Sequence, residues 1–339
     1  MSQENLTYDK DLSNLACFGA SLCAIIGTTV NALSMFVIAR RKVVRNHSLS
    51  PLLFLQAMTD FWFCSTSLPL KATGYYLRGH FFDFIGPALC HAWPFLFYSN
   101  ISVSAFGLAL ISINRAISVL KPSRLTKYFN WKKCLAYHGV LWMFSLIFFV
   151  FPLTGVWGEI GYAKETFSCE ILHDLSHSNP LRIFAGVAFT VPLTIMITCY
   201  ILIKIKIHQI TNSVFGPIQC VGKKGKIQRQ ESALNRSTFI AFFTYIILTL
   251  PCALIMAIHP MPPYKNLPGL HVITYILFWI AAIVNPFIYV FNNEFYKKAF
   301  IKSFPTIFKR CQPSEAFESS HITMKFSTSK TNLKKMCNI

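Results

Sequence analysis

Apolar residues run in long blocks along this chain, and polar residues are confined to the gaps between them. Seven blocks stand out, at about 15–39, 51–70, 88–120, 134–155, 183–203, 239–258 and 270–290. Each holds about 20 or more residues with few charges, enough as helix to cross roughly 30 Å of hydrocarbon. Lipid offers no partner to backbone N–H and C=O groups, so the blocks are predicted to be helical. One such block would suit the interior of a soluble protein equally well; seven in succession do not. Pro152, Pro192, Pro251 and Pro286 fall inside four of the blocks, as kinks that neighbouring helices can re-satisfy. The pattern predicts an all-α membrane protein, a seven-transmembrane helix bundle over residues 15–292 behind an extracellular N-terminus of residues 1–14. After the last block, Phe295, Ala299, Phe300 and Ile301 fall on a face away from the lysines. That predicts an amphipathic helix over 293–304, lying on the inner membrane surface. Residues 305–339 are polar, a disordered cytoplasmic tail whose serines and threonines are candidate phosphosites.

Charge sets the orientation. The chain is 53% apolar and 13% charged, yet its net charge is +19. Only six of the 32 basic residues (Lys10, Lys71, Arg78, Lys164, Arg182 and Lys265) lie on the side that also holds the N-terminus. Eight of the 13 acidic residues lie on that side, four lie opposite, and Asp60 lies within a span. The positive-inside rule places the N-terminus outside and the C-terminus in the cytoplasm, at the plasma membrane. The basic excess then belongs to the anionic inner leaflet, and membrane lipids rather than nucleic acid are its partner. Residues 1–14 lack a basic n-region, so the first span is expected to serve as an uncleaved anchor. Asn5 heads a glycosylation sequon on the outer side; the sequons at Asn46, Asn100 and Asn235 fall inside or within the bilayer and are expected to be silent. Cys90, at the outer end of the third span, and Cys169, in the loop after the fourth, share the oxidising side and are placed to form a disulfide. Cys311 is a palmitoylation candidate or a free thiol.

Polar residues inside the spans carry the candidate chemistry. An uncompensated charge at Asp60 costs at least about 2.5 kcal/mol, which marks it as functional. Asn31, Ser104 and Asn285 lie at comparable depth. Together they predict a polar chamber for a sodium ion, or a neutral Asp60 satisfied by its neighbours. Arg115 follows Cys90 by 25 residues, about 37 Å of helix, so it sits at the cytoplasmic face. Glu231 reaches the same level and could clip it; otherwise Arg115 snorkels to lipid phosphates.

In order along the chain, Gly27-Thr28-Thr29-Val30-Asn31, Leu55 to Asp60, Cys90, Asn114-Arg115-Ala116, Trp142, Pro192 with Tyr200, Pro251, and Asn285-Pro286-Phe287-Ile288-Tyr289 resemble the landmarks of the rhodopsin-like (class A) family of G-protein-coupled receptors over about residues 15–304. Asn114 in place of the usual Asp is similar to melatonin receptors and to the insect Moody and Trapped-in-endoderm group. The resemblance implies a two-state bundle. An extracellular ligand favours a state with the sixth helix swung outward, opening a cleft based on Arg115 for a heterotrimeric G protein. Tyr200 and Tyr289 would brace that state, receptor kinases would phosphorylate the tail, and arrestin would follow. Departures from the family include Asn114 and Ala116 around Arg115, Thr249 for the usual Trp, Tyr245 for the usual Phe, and Ala281 with Ala282 beside the chamber.

The ligand class is read from further positions. Phe97 stands where amine receptors carry Asp, and Trp279 where photopigments carry the retinal lysine. Trp93, Phe97, Tyr98, Ile101, Phe184, Cys252, Met256, Tyr275 and Trp279 would line an apolar pocket, with Lys71, Arg182, His259 and His271 near its outer rim. These residues predict a lipophilic non-amine ligand, with an anionic head on Lys71 or Arg182, or else ordinary bundle core with interfacial basic anchors. No metal cluster or nucleophile–base pair points to an enzyme, and no resident cofactor beyond sodium is expected. A membrane transporter and a non-signalling pseudo-receptor are the rival readings.

Overall fold

The structure, a computed structural model, describes residues 8–163, 166–172, 180–214, 240, 243–255, 267–292 and 294–303; within these, residues 43–44, 79, 181–182, 185, 211–214, 289–292 and 294–295 are described by backbone alone. The described helices are α1 (Lys10–Arg40), α2 (Lys42–Arg45), α3 (Ser50–Trp62), α4 (Leu68–Leu77), α5 (Phe81–Leu120), α6 (Leu125–Tyr128), α7 (Trp131–Leu153), α8 (Pro180–Val214), α9 (Phe243–Ile255), α10 (Pro268–Asn292) and α11 (Glu294–Ser303). Between α7 and α8, β1 (Ile160–Ala163) and β2 (Ser168–Ile171) pair antiparallel with Tyr162 opposite Cys169. Residues up to Phe300 belong to one compact unit, and of the second, 301–339, only the end of α11 is described.

The apolar blocks form helices where they are described, and most of the helices run past the predicted ends. Lys10–Arg40, Phe81–Leu120, Trp131–Leu153, Gly186–Ile210 and Pro268–Ile288 are each long and apolar enough to cross a membrane. Caps set two starts outside the predicted blocks. Asp9 accepts the Leu12 N–H at 2.7 Å ahead of α1, and Asn130 accepts the Lys133 N–H at 3.0 Å ahead of α7. The outer faces are apolar: Leu135, Val140, Met143, Phe144 and Ile147 of α7 are all exposed. A soluble protein would bury that stripe; a membrane protein turns it to lipid.

Two backbone irregularities aim the spans. The second span comprises α3 and α4 joined by a π turn, Phe63–Ser67, in which the Leu68 N–H reaches the Phe63 carbonyl. Pro69 cannot bond to the carbonyl four residues back, and the wide turn accommodates it. One extra residue in a turn rotates the rest of the helix by about 100°. The buried stripe of α4 is consequently Leu68, Lys71, Ala72 and Tyr75. In α5 the chain breaks at Gly86, at φ 70° and ψ 169°, a conformation glycine adopts without a Cβ penalty, and Pro87 opens the long helix beyond it.

Helix α5 is the axis of the bundle. It packs against α3, α7 and α8, while α1 packs against α3, α4 and α10. The hairpin lies on α5 and is bonded to it through Cys90–Cys169, with Cα atoms 5.3 Å apart. A Cβ at Gly74 would strike the carbonyl oxygen of Phe167, so the hairpin rests directly on the α4 backbone. Gly74→Ala is expected to cost about 1–3 kcal/mol by overpacking, read as a lowered thermal midpoint of the purified protein. Gly186→Ala, whose Cβ meets nothing within 4 Å, serves as the control; equal midpoints for both would refute the close seat.

Candidate functional site

At the hairpin end the buried stripe of α4 carries a lysine into the bundle. Lys71 is 4% exposed, which corrects its expected place at the outer rim; the π turn has rotated it inward. Its Nζ donates to Ser168 Oγ at 2.9 Å and lies 5.2, 5.7 and 5.9 Å from the ring centroids of Trp93, Phe97 and Tyr275. Three aromatic faces thus surround the ammonium. Beyond it, Ser168 and Thr166 share a hydroxyl contact at 3.1 Å, and Thr166 donates to Glu170 Oε1 at 2.9 Å. Tyr8, 1% exposed, closes the same end, bonded to His271 Nδ1 and packed between Tyr75 and Phe167.

The structure brings Trp93, Phe97, Tyr98, Ile101, Phe184, Cys252, Tyr275 and Trp279 together, all of them buried. They are tightly packed: a void of about 10 Å³ remains among Phe97, Tyr98, Ile101, Phe184, Cys252 and Tyr275, room for one water at most. Among the described residues the buried indole N–H groups of Trp93 and Trp279 have no acceptor. Met256 and His259 lie outside the described residues, as does the Arg182 side chain.

Below the Phe63–Phe97–Phe278 layer the bundle is open. A cavity of about 70 Å³ is lined by Asp60, Phe63, Ser104, Leu108, Tyr245, Thr249, Phe278 and Asn285, among others, enough for several waters. Asp60, 1% exposed, accepts from Ser104 Oγ at 2.9 Å and Asn285 Nδ2 at 2.8 Å. Gln56 Nε2 sits 3.2 Å from both carboxylate oxygens and 2.7 Å from Ser104 Oγ. Asn31 is not part of this knot. Its amide donates to the carbonyls of Gly27 at 2.9 Å and Ala282 at 3.0 Å, tying α1 to α10. A sodium ion bridging Asp60 and Ser104 would need the space that the Gln56 amide fills. As arranged, the residues satisfy the carboxylate with donors and do not fit a cation.

At the far end of α5, Asn114 donates to the Ser48 carbonyl at 3.4 Å, and Tyr296 shares a hydroxyl bond with Ser50 at 2.7 Å. His47 meets Tyr296 edge-on, ring centroids 6.1 Å apart, and accepts the Leu49 N–H at 3.3 Å. The loop between α2 and α3 is thereby fastened to both α5 and α11. The residue surface of His47 is open to solvent, yet desolvation of its ring, followed by the charge of Arg115, lowers its pKa. Burial pushes Tyr296 up to about 12, against the opposing pull of Ser50 and Arg115. Arg115 is therefore close enough to both groups to be felt. Pro251 lies in α9, Pro286 in α10 and Tyr200 in α8. Glu231, Asn5 and Cys311 lie outside the described residues, as does the Tyr289 side chain.

Gln56, Ser168, Glu170, Tyr8, His47 and Tyr296 had not been singled out. Gln56 was visible in principle, four residues before Asp60 on one helix face. So was Lys71, on the period-3.6 stripe with Leu68 and Tyr75. The others depend on long-range packing, which the local pattern does not encode.

A family model described as 7 transmembrane receptor (rhodopsin family) matches residues 30–289. The chain is 26% identical over 318 residues to Protein trapped in endoderm-1 of Drosophila melanogaster, covering 88% of this chain and 79% of that protein. It is 24% identical over 354 residues to the G-protein coupled receptor moody of the same species, covering 86% of this chain and 51% of the relative, so it spans about half that relative's length. Melatonin receptor type 1C of Xenopus laevis is 25% identical over 220 residues, covering 64% of this chain and 50% of that receptor. The crystal structure of squid rhodopsin superposes with a TM-score of 0.73 at 18% identity, covering 91% of this chain and 89% of that one, a likeness of fold.

The His47 cluster has a pH consequence. A histidine whose folded pKa is lowered contributes stability that is fully present above its ordinary value of 6.5 and is lost as pH falls below it. The thermal midpoint of the protein should therefore drop between pH 7.5 and pH 5.5, and drop less in His47→Gln. Parallel profiles for the two proteins would show that His47 does not titrate against folding.

Proposed function

The chain belongs to the rhodopsin family of seven-transmembrane receptors, and from that premise we propose that it is a plasma-membrane receptor, N-terminus outside, that binds an extracellular lipophilic non-amine ligand beneath its β-hairpin and activates a heterotrimeric G protein. It is a multi-pass membrane protein of a receptor family, not of an enzyme family. The observation that carries the mechanism is the uneven packing along the bundle. The hairpin end is filled by aromatic rings, whereas about 70 Å³ stands open one layer deeper between α5, α9 and α10. A ligand entering the aromatic nest must displace Phe97 or Tyr275. Phe97 touches Phe63, and Phe63 touches Phe278, at centroid distances of 5.7 and 6.3 Å. Phe278, Tyr245 and Thr249 line the open cavity, so α9 and α10 have room to repack. Ligand shifts that equilibrium only by its differential affinity for the two arrangements.

The buried Lys71 supports the non-amine reading, because a second ammonium beside it would be repelled as well as unpaired. The relative whose name includes G-protein coupled receptor supports the coupling partner. In this reading Arg115 contacts the G protein, Glu231 restrains Arg115 at rest, and Tyr200, Tyr289, Asn285 and the Pro251 and Pro286 kinks serve the opened state. Receptor kinases and arrestin act on the tail, Asn5 carries glycan, and Cys311 carries lipid. Sodium at Asp60 is left out of the reading, since Gln56 already fills that space.

G-protein dissociation measured in cells over a panel of α-subunits tests the reading. The receptor should raise basal dissociation above mock cells, Arg115→Ala should remove that rise at matched surface expression, and Glu231→Gln should increase it. Full signalling by Arg115→Ala would end the role given to Arg115.

A further inference from the structure

Resting on the ligand-binding reading above, we propose that the site beneath the hairpin takes an organic monoanion, a carboxylate on an apolar body. Its oxygens replace Ser168 on Lys71 and accept the indole N–H of Trp93. An ammonium carries three donors. Among the described residues Lys71 uses one of them, on the neutral Ser168 hydroxyl, and forms no ion pair. A buried charge with one neutral partner is costly, and buried charges are ordinarily paired. The aromatic faces around it compensate in part but accept no strong hydrogen bond. The unused valences nearby are also donors. Trp93, whose ring lies 5.2 Å from Nζ, has a buried N–H with no acceptor among the described residues. So does Trp279, which packs against Tyr275, itself a wall of the cage. The missing complement to several donors and one positive charge is an acceptor bearing one negative charge.

The charge count selects a monoanion over a dianion. Glu170 is 8% exposed and joined to Ser168 through Thr166, so one carboxylate already stands two hydroxyls from Lys71. A phosphate monoester would bring two negative charges against a single cation. A carboxylate balances Lys71, and the released Ser168 hydroxyl keeps its contact with Thr166. The surrounding rings require the rest of the ligand to be apolar. The hairpin need not leave, since Cys90–Cys169 holds it while one side-chain bond is exchanged.

The test uses the full-length receptor in lipid nanodiscs, with decanoate, oleate and indole-3-acetate as probes and their methyl esters as uncharged controls. At least one acid should raise the thermal midpoint in a saturable way while its ester does not. Lys71→Met should abolish the shift, and Trp93→Phe should weaken it about tenfold, the worth of a hydrogen bond to a charged group. Ser168→Ala should strengthen acid binding about fivefold, because a competing neutral hydrogen bond is gone. That gain does not depend on Lys71→Met folding. Equal shifts from acid and ester, a shift retained in Lys71→Met, no gain in Ser168→Ala, or no shift from any acid would each overturn the proposal. Acid binding without G-protein dissociation would leave the anion site standing and remove the signalling reading. Dissociation driven equally by acid and ester would do the reverse.

Discussion

The bond between Cys90 and Cys169 fixes the rest of the hairpin end. It joins β2 to the central helix and so sets Ser168 one residue to one side and Glu170 one residue to the other. With that register held, Ser168 meets Lys71 from α4, and Thr166 bridges onward to Glu170. Phe167, at φ 50°, turns the strand so that its carbonyl rests on Gly74 while its ring packs against Tyr8. Gly74 admits the hairpin, the π turn after Trp62 delivers Lys71 to it, and the disulfide makes the meeting obligatory.

Packing is uneven along the bundle axis, and the layer of Phe63, Phe97 and Phe278 divides the two regimes. Above it, aromatic rings fill the space between α4, α5, α8 and α10 nearly to completion. Below it, Thr249 and Ala281 leave volume that larger side chains would fill. Thr249 turns its hydroxyl back to the Tyr245 carbonyl at 2.7 Å, and the buried Tyr245 hydroxyl has no partner among the described residues. Close-packed interiors resist small deformations and favour discrete alternatives. A tight layer resting on a loose one is an arrangement in which a push at the hairpin end can be taken up by movement lower down.

The sequence made the architecture legible because lipid imposes one rule on every span, and the rule is written in composition. Seven apolar blocks and the Cys90–Cys169 pair follow from local pattern and sidedness, whereas the caps at Asp9 and Asn130 start α1 and α7 ahead of the blocks that the pattern marks. Side-chain direction was less legible. Lys71 reads as an interfacial lysine if the second span ends at Leu70; the helix instead runs to Leu77, with an extra residue in one turn. A proline hints at such a turn without stating its width. Asn31 and Asp60 share a depth, yet depth does not fix azimuth, and Asn31 turns to the Ala282 carbonyl while Gln56 completes the Asp60 knot. The neighbours of Arg115 were illegible for another reason: His47 and Tyr296 lie 68 residues before it and 181 after it.

Asp60 and Lys71 are buried on opposite sides of the aromatic layer, and their partners differ in kind. Asp60 draws donors from three helices, with Gln56 of α3, Ser104 of α5 and Asn285 of α10 all converging on two oxygens. That charge is internally satisfied, and it ties the three helices where the cavity begins. Lys71 has one neutral hydroxyl from the hairpin and three ring faces. Had the same donors served both charges equally, neither end would call for anything from outside. Of the two charges, the less compensated one lies at the hairpin end, beneath a roof tethered by Cys90–Cys169. An acidic group arriving there would gain most where the protein alone has left most unsatisfied.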